Sequence, residues 1–188
     1  MKDLELEKQA VKLLEKAGLD REQIKRLEHE FGYFVAPASK GHHLSVPGGL
    51  VAHSVNVTKR LKEITEKFGI EWPREESVYL VGMLHDLVKT ETYRIVANTE
   101  REGQGDYPEY QFVQPAYGGH GSASAILIMA NLGVRLYPAE AAAVVWHMGA
   151  FGLDREGLKA YDVALGLYPA QILAAHMADM SATKLDEQ

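Results

Sequence analysis

The sequence predicts an all-α helical bundle carrying one short β-hairpin arm. Apolar residues recur at helical spacing through most of the 188 residues. Two β-prone runs, residues 93–98 and 107–114, flank the turn Glu102-Gly-Gln-Gly-Asp106. The length suits one domain with a sizeable core. The expected organisation is a single domain over 1–188. Helices over 1–35 lead into a core over 36–185, and the arm lies at about 91–114.

Leu4, Leu6, Ala10, Val11, Leu13, Leu14 and Ala17 form an amphipathic stripe that stops at Gly18, a C-capping residue. Asp20 then caps a second helix through Ile24, Leu27 and Phe31. Pro37, Pro47 and the pair Gly48-Gly49 break residues 36–49 into a loop. A helix is expected over about 50–68, with its stripe at Leu50, Val57, Leu61, Ile64 and Phe68. His53 lies on that same inward face. After Pro73 comes a helix apolar on all sides, hence buried on all sides, that carries His85-Asp86. Beyond the arm, Gly118-Gly-His-Gly-Ser122 opens a helix through Ile126, Leu127 and Leu132. Further helices are expected over 138–148 and from Pro169 to about Lys184.

The chain has no Cys, which excludes thiolate metal sites, disulfides and cysteine nucleophiles. A formal net charge of −6 argues against a surface that tracks duplex nucleic acid. It leaves room for a small phosphate ligand, because a bound metal supplies local positive charge. The charged N-terminus does not read as a signal peptide. No apolar run approaches the roughly 18 residues that span a bilayer. The expectation is a cytoplasmic protein without a membrane partner.

The dipeptide His85-Asp86 sits in an otherwise apolar segment, and buried charge there is costly unless something pairs with it. His53, His120, His147 and Asp179 add ligand types at wide intervals. Short motifs such as His-Glu-x-x-His are absent, so separate helices must converge, as helical bundles do around core metals. Imidazole and carboxylate donors suit Mn, Fe, Ni, Co or Zn. The set is enough for one or two ions. Lys89, one turn beyond the doublet, is a candidate for phosphate contact or for an ion pair with Asp86. Lys40, His42 and His43, in the loop before the first ligand helix, are candidate substrate contacts. His176 is expected near the rim of the site.

The ordered set His53…His85-Asp86…Asp179 resembles the HD-domain superfamily of metal-dependent phosphohydrolases. His120 and His147 fit the extra ligands of its two-metal branch. The resemblance spans residues 40–179. His42-His43 followed by Gly48-Gly49-Leu50 and His53-Ser54 resembles the HD module of bacterial 3′→5′ exoribonucleases, as does His85-Asp86-Leu-Val-Lys89. Gly119-His120-Gly121 and Trp146-His147-Met148-Gly149 resemble small stand-alone HD hydrolases.

The resemblance implies an HD-domain helical bundle with two divalent transition metals at its centre. His53, His85, Asp86 and Asp179 would hold the first metal. Asp86, His120 and His147 would hold the second. Asp86 and Lys89 would then be catalytic, and the activity a phosphatase or phosphodiesterase. The exoribonuclease relatives carry an added OB-fold that 188 residues do not accommodate. The expected substrate is therefore a nucleotide or another small phosphoester. The alternatives are an exonuclease-like phosphodiesterase on short nucleic acid, a non-catalytic ligand-binding module and a di-iron oxygenase. Assembly into a homo-oligomer stays open.

Overall fold

A computed structural model describes residues 4–40, 44–101 and 105–187. The described chain is mostly helical with one two-stranded antiparallel hairpin. Helices α1 (Leu4–Lys16) and α2 (Arg21–His29) meet at Gly18, whose φ of 83° is the left-handed conformation that ends α1. Asp20 caps α2 reciprocally. Its carboxylate accepts from the Gln23 backbone N–H at 2.8 Å, and the Gln23 side chain accepts from the Asp20 N–H at 3.0 Å.

Helix α3 (Gly49–Phe68) is the pivot of the fold, packing against α1, α4 (Ser77–Leu84) and α9 (Pro169–Ser181). Its buried face includes Leu50, His53, Val57 and Leu61, as the stripe predicts. Phe68 departs from it, standing 61% exposed at the helix end. Every residue of α4 except Tyr79 is buried.

Contrary to expectation, α4 does not carry the His85-Asp86 doublet. It stops at Leu84, and Leu87 and Lys89 bond back three residues, to the carbonyls of Leu84 and Asp86. The doublet therefore lies in a tight turn between α4 and the short α5 (Lys89–Thr92). The hairpin pairs β1 (Tyr93–Arg101) with β2 (Gly105–Phe112), with an irregularity between Ile95 and Ala97.

Helix α6 (His120–Ile126) continues into a wider π-type turn at Leu127–Asn131. Helix α7 (Pro138–Trp146) ends just before His147. Helix α8 (Arg155–Leu167) has no counterpart in the sequence reading. Asp154 caps it by accepting from the Gly157 N–H at 2.8 Å, and Tyr161, Ala164 and Leu165 form a half-buried face at helical spacing, although no residue of it is fully buried. Helix α9 is shorter than expected and is followed by a second π-type turn, Ala182–Asp186. No helix among the described residues is long and apolar enough to cross a membrane.

A buried carboxylate ties the starts of α4 and α7 together. Glu140 accepts from Arg74 Nε at 2.8 Å, from Ser77 Oγ at 2.7 Å and from the Tyr137 N–H at 2.8 Å.

Two glycines set how closely the ligand-bearing helices approach. A Cβ on Gly82 would lie 2.4 Å from Thr58 Oγ1 and 2.7 Å from Thr58 Cα, so the absent side chain lets α4 sit on α3. A Cβ on Gly121 would lie 2.2 Å from the Val145 carbonyl, which holds α6 against α7. Gly82→Ala is expected to destabilise the metal-free protein by about 1–3 kcal/mol, because the overlap with backbone outweighs the better helix propensity of Ala. Urea unfolding checks this. A stabilised variant would mean that the α3–α4 contact yields without strain.

Candidate metal centre

The ligand candidates arrive from five directions. His53 is on the fifth residue of α3, His85 and Asp86 lie just beyond α4, and His120 opens α6. His147 follows α7, and Asp179 lies in the last turn of α9. The structure brings all six together. Asp86 is the hub. Its Oδ1 lies 2.5 Å from His120 Nε2 and 3.3 Å from His147 Nε2. Its Oδ2 lies 3.4 Å from both His53 Nε2 and His85 Nε2. Asp179 Oδ1 stands 3.2 Å from His53 Nε2.

The imidazoles are aimed by their other nitrogen. His85 and His147 each follow the last residue of a helix, where the final carbonyls lack intrahelical partners. His85 Nδ1–H donates to the Gly82 carbonyl at 3.0 Å, and His147 Nδ1–H donates to the Val144 carbonyl at 2.7 Å. A carbonyl only accepts, so both rings must carry a proton on Nδ1. In the neutral ring Nε2 is then a lone pair facing the Asp86 carboxylate. His53 follows the same rule, with Nδ1 3.1 Å from both carboxylate oxygens of Glu187. With His120, four Nε2 atoms thus converge on two carboxylates, those of His85 and His147 from the negative ends of α4 and α7.

Such a convergence repels itself unless cations occupy it. His147 Nε2 is close to Asp86 Oδ1 but not aligned with it, and is buried without a hydrogen-bond partner among the described residues. Protons compensate in part. Burial disfavours a charged His53, but the Asp179, Asp86 and Glu187 carboxylates outweigh it and hold its pKa at about 10. Burial also opposes charge on His147, and there Asp86 prevails and raises the pKa. At His85 burial wins, and its pKa is lowered. Burial would raise Asp86, yet Lys89, His85 and His120 hold it well below the usual carboxylate range.

Two groups of donors are close enough together to share an ion: His53, His85 and Asp86, and Asp86, His120 and His147. In each, the donor atoms lie within 4.8 Å of one another. The residues therefore could hold a metal ion, and the unpartnered His147 nitrogen is the atom that most needs one.

Lys89 Nζ donates to Asp86 Oδ2 at 2.6 Å, so here it is in the ion-pair arrangement. It also lines the cavity that opens over the centre, a space of about 700 Å³. Asp86, His120 and Asp179 form the polar floor of that cavity, while Met148, Phe151 and Met180 supply apolar wall. Tyr93 of the hairpin lines it too, packed edge-on against Phe112 at 6.1 Å between ring centres. His176 stands in the lining, its Nδ1–H donating to the His147 carbonyl at 2.8 Å. Lys40 is exposed beside Ser39, which lines the cavity. His42 and His43 lie outside the described residues.

Sequence reasoning missed Glu187 and Asn56. Asn56 Nδ2 donates to Glu187 Oε1 at 3.2 Å. Glu187 also falls beyond the core boundary expected at residue 185, in a polar tail that carries no periodic signal. No family model matches the chain, and no curated protein or solved structure does.

Proposed function

We propose that the chain is an HD-type metal-dependent phosphohydrolase acting on a nucleotide or another small phosphoester. One observation carries this reading: three buried imidazoles, each with Nδ1 committed elsewhere, present Nε2 to a shared Asp86 carboxylate at the floor of a ligand-sized cavity. The chain order of the converging residues supports it, since it is the order of the HD ligands. The cavity volume falls within the roughly 300–1,000 Å³ usual for small-molecule sites.

His53, His85, Asp86 and Asp179 would hold one divalent transition metal, and Asp86, His120 and His147 a second. When bound, such ions supply Lewis-acid charge for phosphoryl oxygens and lower the pKa of water. Asp86, with both oxygens engaged, joins the two halves of the site. Lys89 places a fixed positive charge beside Asp86, within reach of a phosphate in the cavity. Met148, Phe151 and Met180 supply an apolar wall, where the organic part of a substrate would rest. His176 keeps Nδ1–H on the His147 carbonyl, which leaves Nε2 as its remaining polar atom for a substrate hydrogen bond.

The test is elemental analysis after Mn or Fe reconstitution, followed by a phosphoester screen in that metal. Two metals per chain with hydrolysis of a nucleotide or aryl phosphate is the expected result. Two metals without hydrolysis of any phosphoester would sink the hydrolase reading and move the chain to the oxygenase or binding-module alternatives. His147→Ala is expected to remove one metal per chain and leave the other. An unchanged metal count in that variant would show that the two-ion assignment is wrong.

A further inference from the structure

His53 poses a problem that His85 and His147 do not. Those two follow helix ends and use orphan carbonyls to hold Nδ1. His53 lies inside α3, where the carbonyls before it are taken up by the helix's own ladder. Its Nδ1 therefore needs a partner from elsewhere in the chain. The partner is Glu187, whose carboxylate side chain is only 1% exposed. An acid buried to that degree is costly unless it is paired. Here both oxygens lie 3.1 Å from His53 Nδ1, and Asn56 donates to Oε1 at 3.2 Å.

The neighbouring residue is engaged as well. Asp186 accepts from Arg60, with Nε to Oδ2 at 2.9 Å and Nη2 to Oδ1 at 2.5 Å. His53, Asn56 and Arg60 stand at i, i+3 and i+7, so they form one face of α3. That face engages two consecutive acids of the chain's last turn. The π-type turn Ala182–Asp186 brings those acids back to α3, and its Thr183 and Lys184 line the cavity.

We propose that Glu187 is a positioning residue of the metal centre. Its carboxylate accepts the Nδ1–H of His53, holds the ring with Nε2 toward Asp86 and Asp179, and is itself braced by the Arg60–Asp186 pair. This rests on the metal-centre reading above. A carboxylate on the far nitrogen of a ligating imidazole fixes its orientation and raises its basicity, and losing such a partner typically costs about 10–100-fold in metal affinity.

The experiment is a Co²⁺ titration of the metal-free full chain, followed by the visible absorption of the bound ion and by competition with a chelator. Glu187→Ala is expected to weaken one Co²⁺ site by about 10–100-fold and alter its spectrum, with the other site unchanged. Glu187→Gln, whose amide oxygen still accepts the Nδ1 proton, is expected to recover part of that loss. Arg60→Ala loosens the turn without touching His53 and is expected to cost less than Glu187→Ala.

Wild-type affinity in Glu187→Ala would overturn the proposal while leaving the metal centre standing. So would Arg60→Ala matching Glu187→Ala with no recovery in Glu187→Gln, since the tail would then act only by packing. A wild-type chain that binds no Co²⁺ would instead fail the metal-centre reading itself. If Glu187→Ala does not fold, Glu187→Asp serves in its place. The shortened carboxylate is expected to weaken the same site, and unaltered affinity there overturns the proposal.

Discussion

Asp86→Ala is expected to abolish metal binding and phosphoester hydrolysis together. Asp86 is the one residue common to both donor groups, and its two oxygens lie within 3.4 Å of four imidazole nitrogens and of Lys89 Nζ. Removing a partner that only orients a ligand already costs about 10–100-fold. Removing the shared ligand should cost more than 100-fold in turnover, with metal content falling toward zero.

The same variant is expected to destabilise the metal-free fold by about 3–5 kcal/mol, because buried cationic groups lose their counter-charge. Lys89, whose side chain is 12% exposed, loses the carboxylate it pairs with at 2.6 Å. Asp86→Asn separates the two effects. It preserves the shape and some hydrogen bonding, so it should recover part of the stability but not the metal. Metal analysis, turnover and urea unfolding on both variants are the measurements. Turnover within a few-fold of wild type in Asp86→Ala would sink the mechanism.

Metal uptake is expected to release protons and to tighten as pH rises. The pKa of His53 stands at about 10 in the metal-free protein, so near neutrality its Nε2 carries a proton that an incoming ion must displace. Each displaced proton changes the apparent affinity by about tenfold per pH unit. Affinity should therefore increase by about tenfold for each unit between pH 6 and pH 8, and calorimetric heats should vary with the ionisation enthalpy of the buffer. A binding constant independent of pH would show that His53 is not displaced by the ion.

Stability of the metal-free protein is expected to fall at both ends of the pH range. The raised pKa of His53 contributes stability that is fully present below the ordinary histidine value and is lost as pH rises toward about 10. Asp86 and Asp179 have lowered pKa values, despite burial, because cationic neighbours hold them ionised. Their contribution is present above the ordinary carboxylate range and is lost as pH falls through the depressed values. Saturating metal, bound only by the folded chain, should raise the melting temperature, by the equivalent of about 2.7 kcal/mol at one hundred times Kd.

Much of the fold was legible in the sequence. Apolar spacing marked α1 and α3, a run apolar on all sides marked α4, and Pro169 marked the start of α9. The Asp20 cap started α2, and the β-prone runs around residue 104 marked the hairpin. Helix α8 was legible too, with Asp154 as its cap and Leu158, Tyr161 and Leu165 at helical spacing, although none of its residues is buried. The end of α4 was not. The apolar run continues through Leu87 and Val88, both buried, so nothing in its composition marks the change to a three-residue turn at His85.

Composition limits the chemistry that the centre can use. Without Cys, only imidazole and carboxylate donors are available, and a His-Asp doublet in an apolar run must be compensated. Long-range packing set what spacing does not show: it brought four Nε2 atoms from separate helices onto Asp86, and Glu187 back to His53 across 134 positions. The difference is one of range. Side-chain spacing reports which face of a helix is buried, over a turn or two. The direction of a ring nitrogen depends on the hydrogen-bond acceptor within its reach. For His85 and His147 that acceptor is a local helix end, whereas for His53 it is a polar residue that shows no pattern until the chain folds.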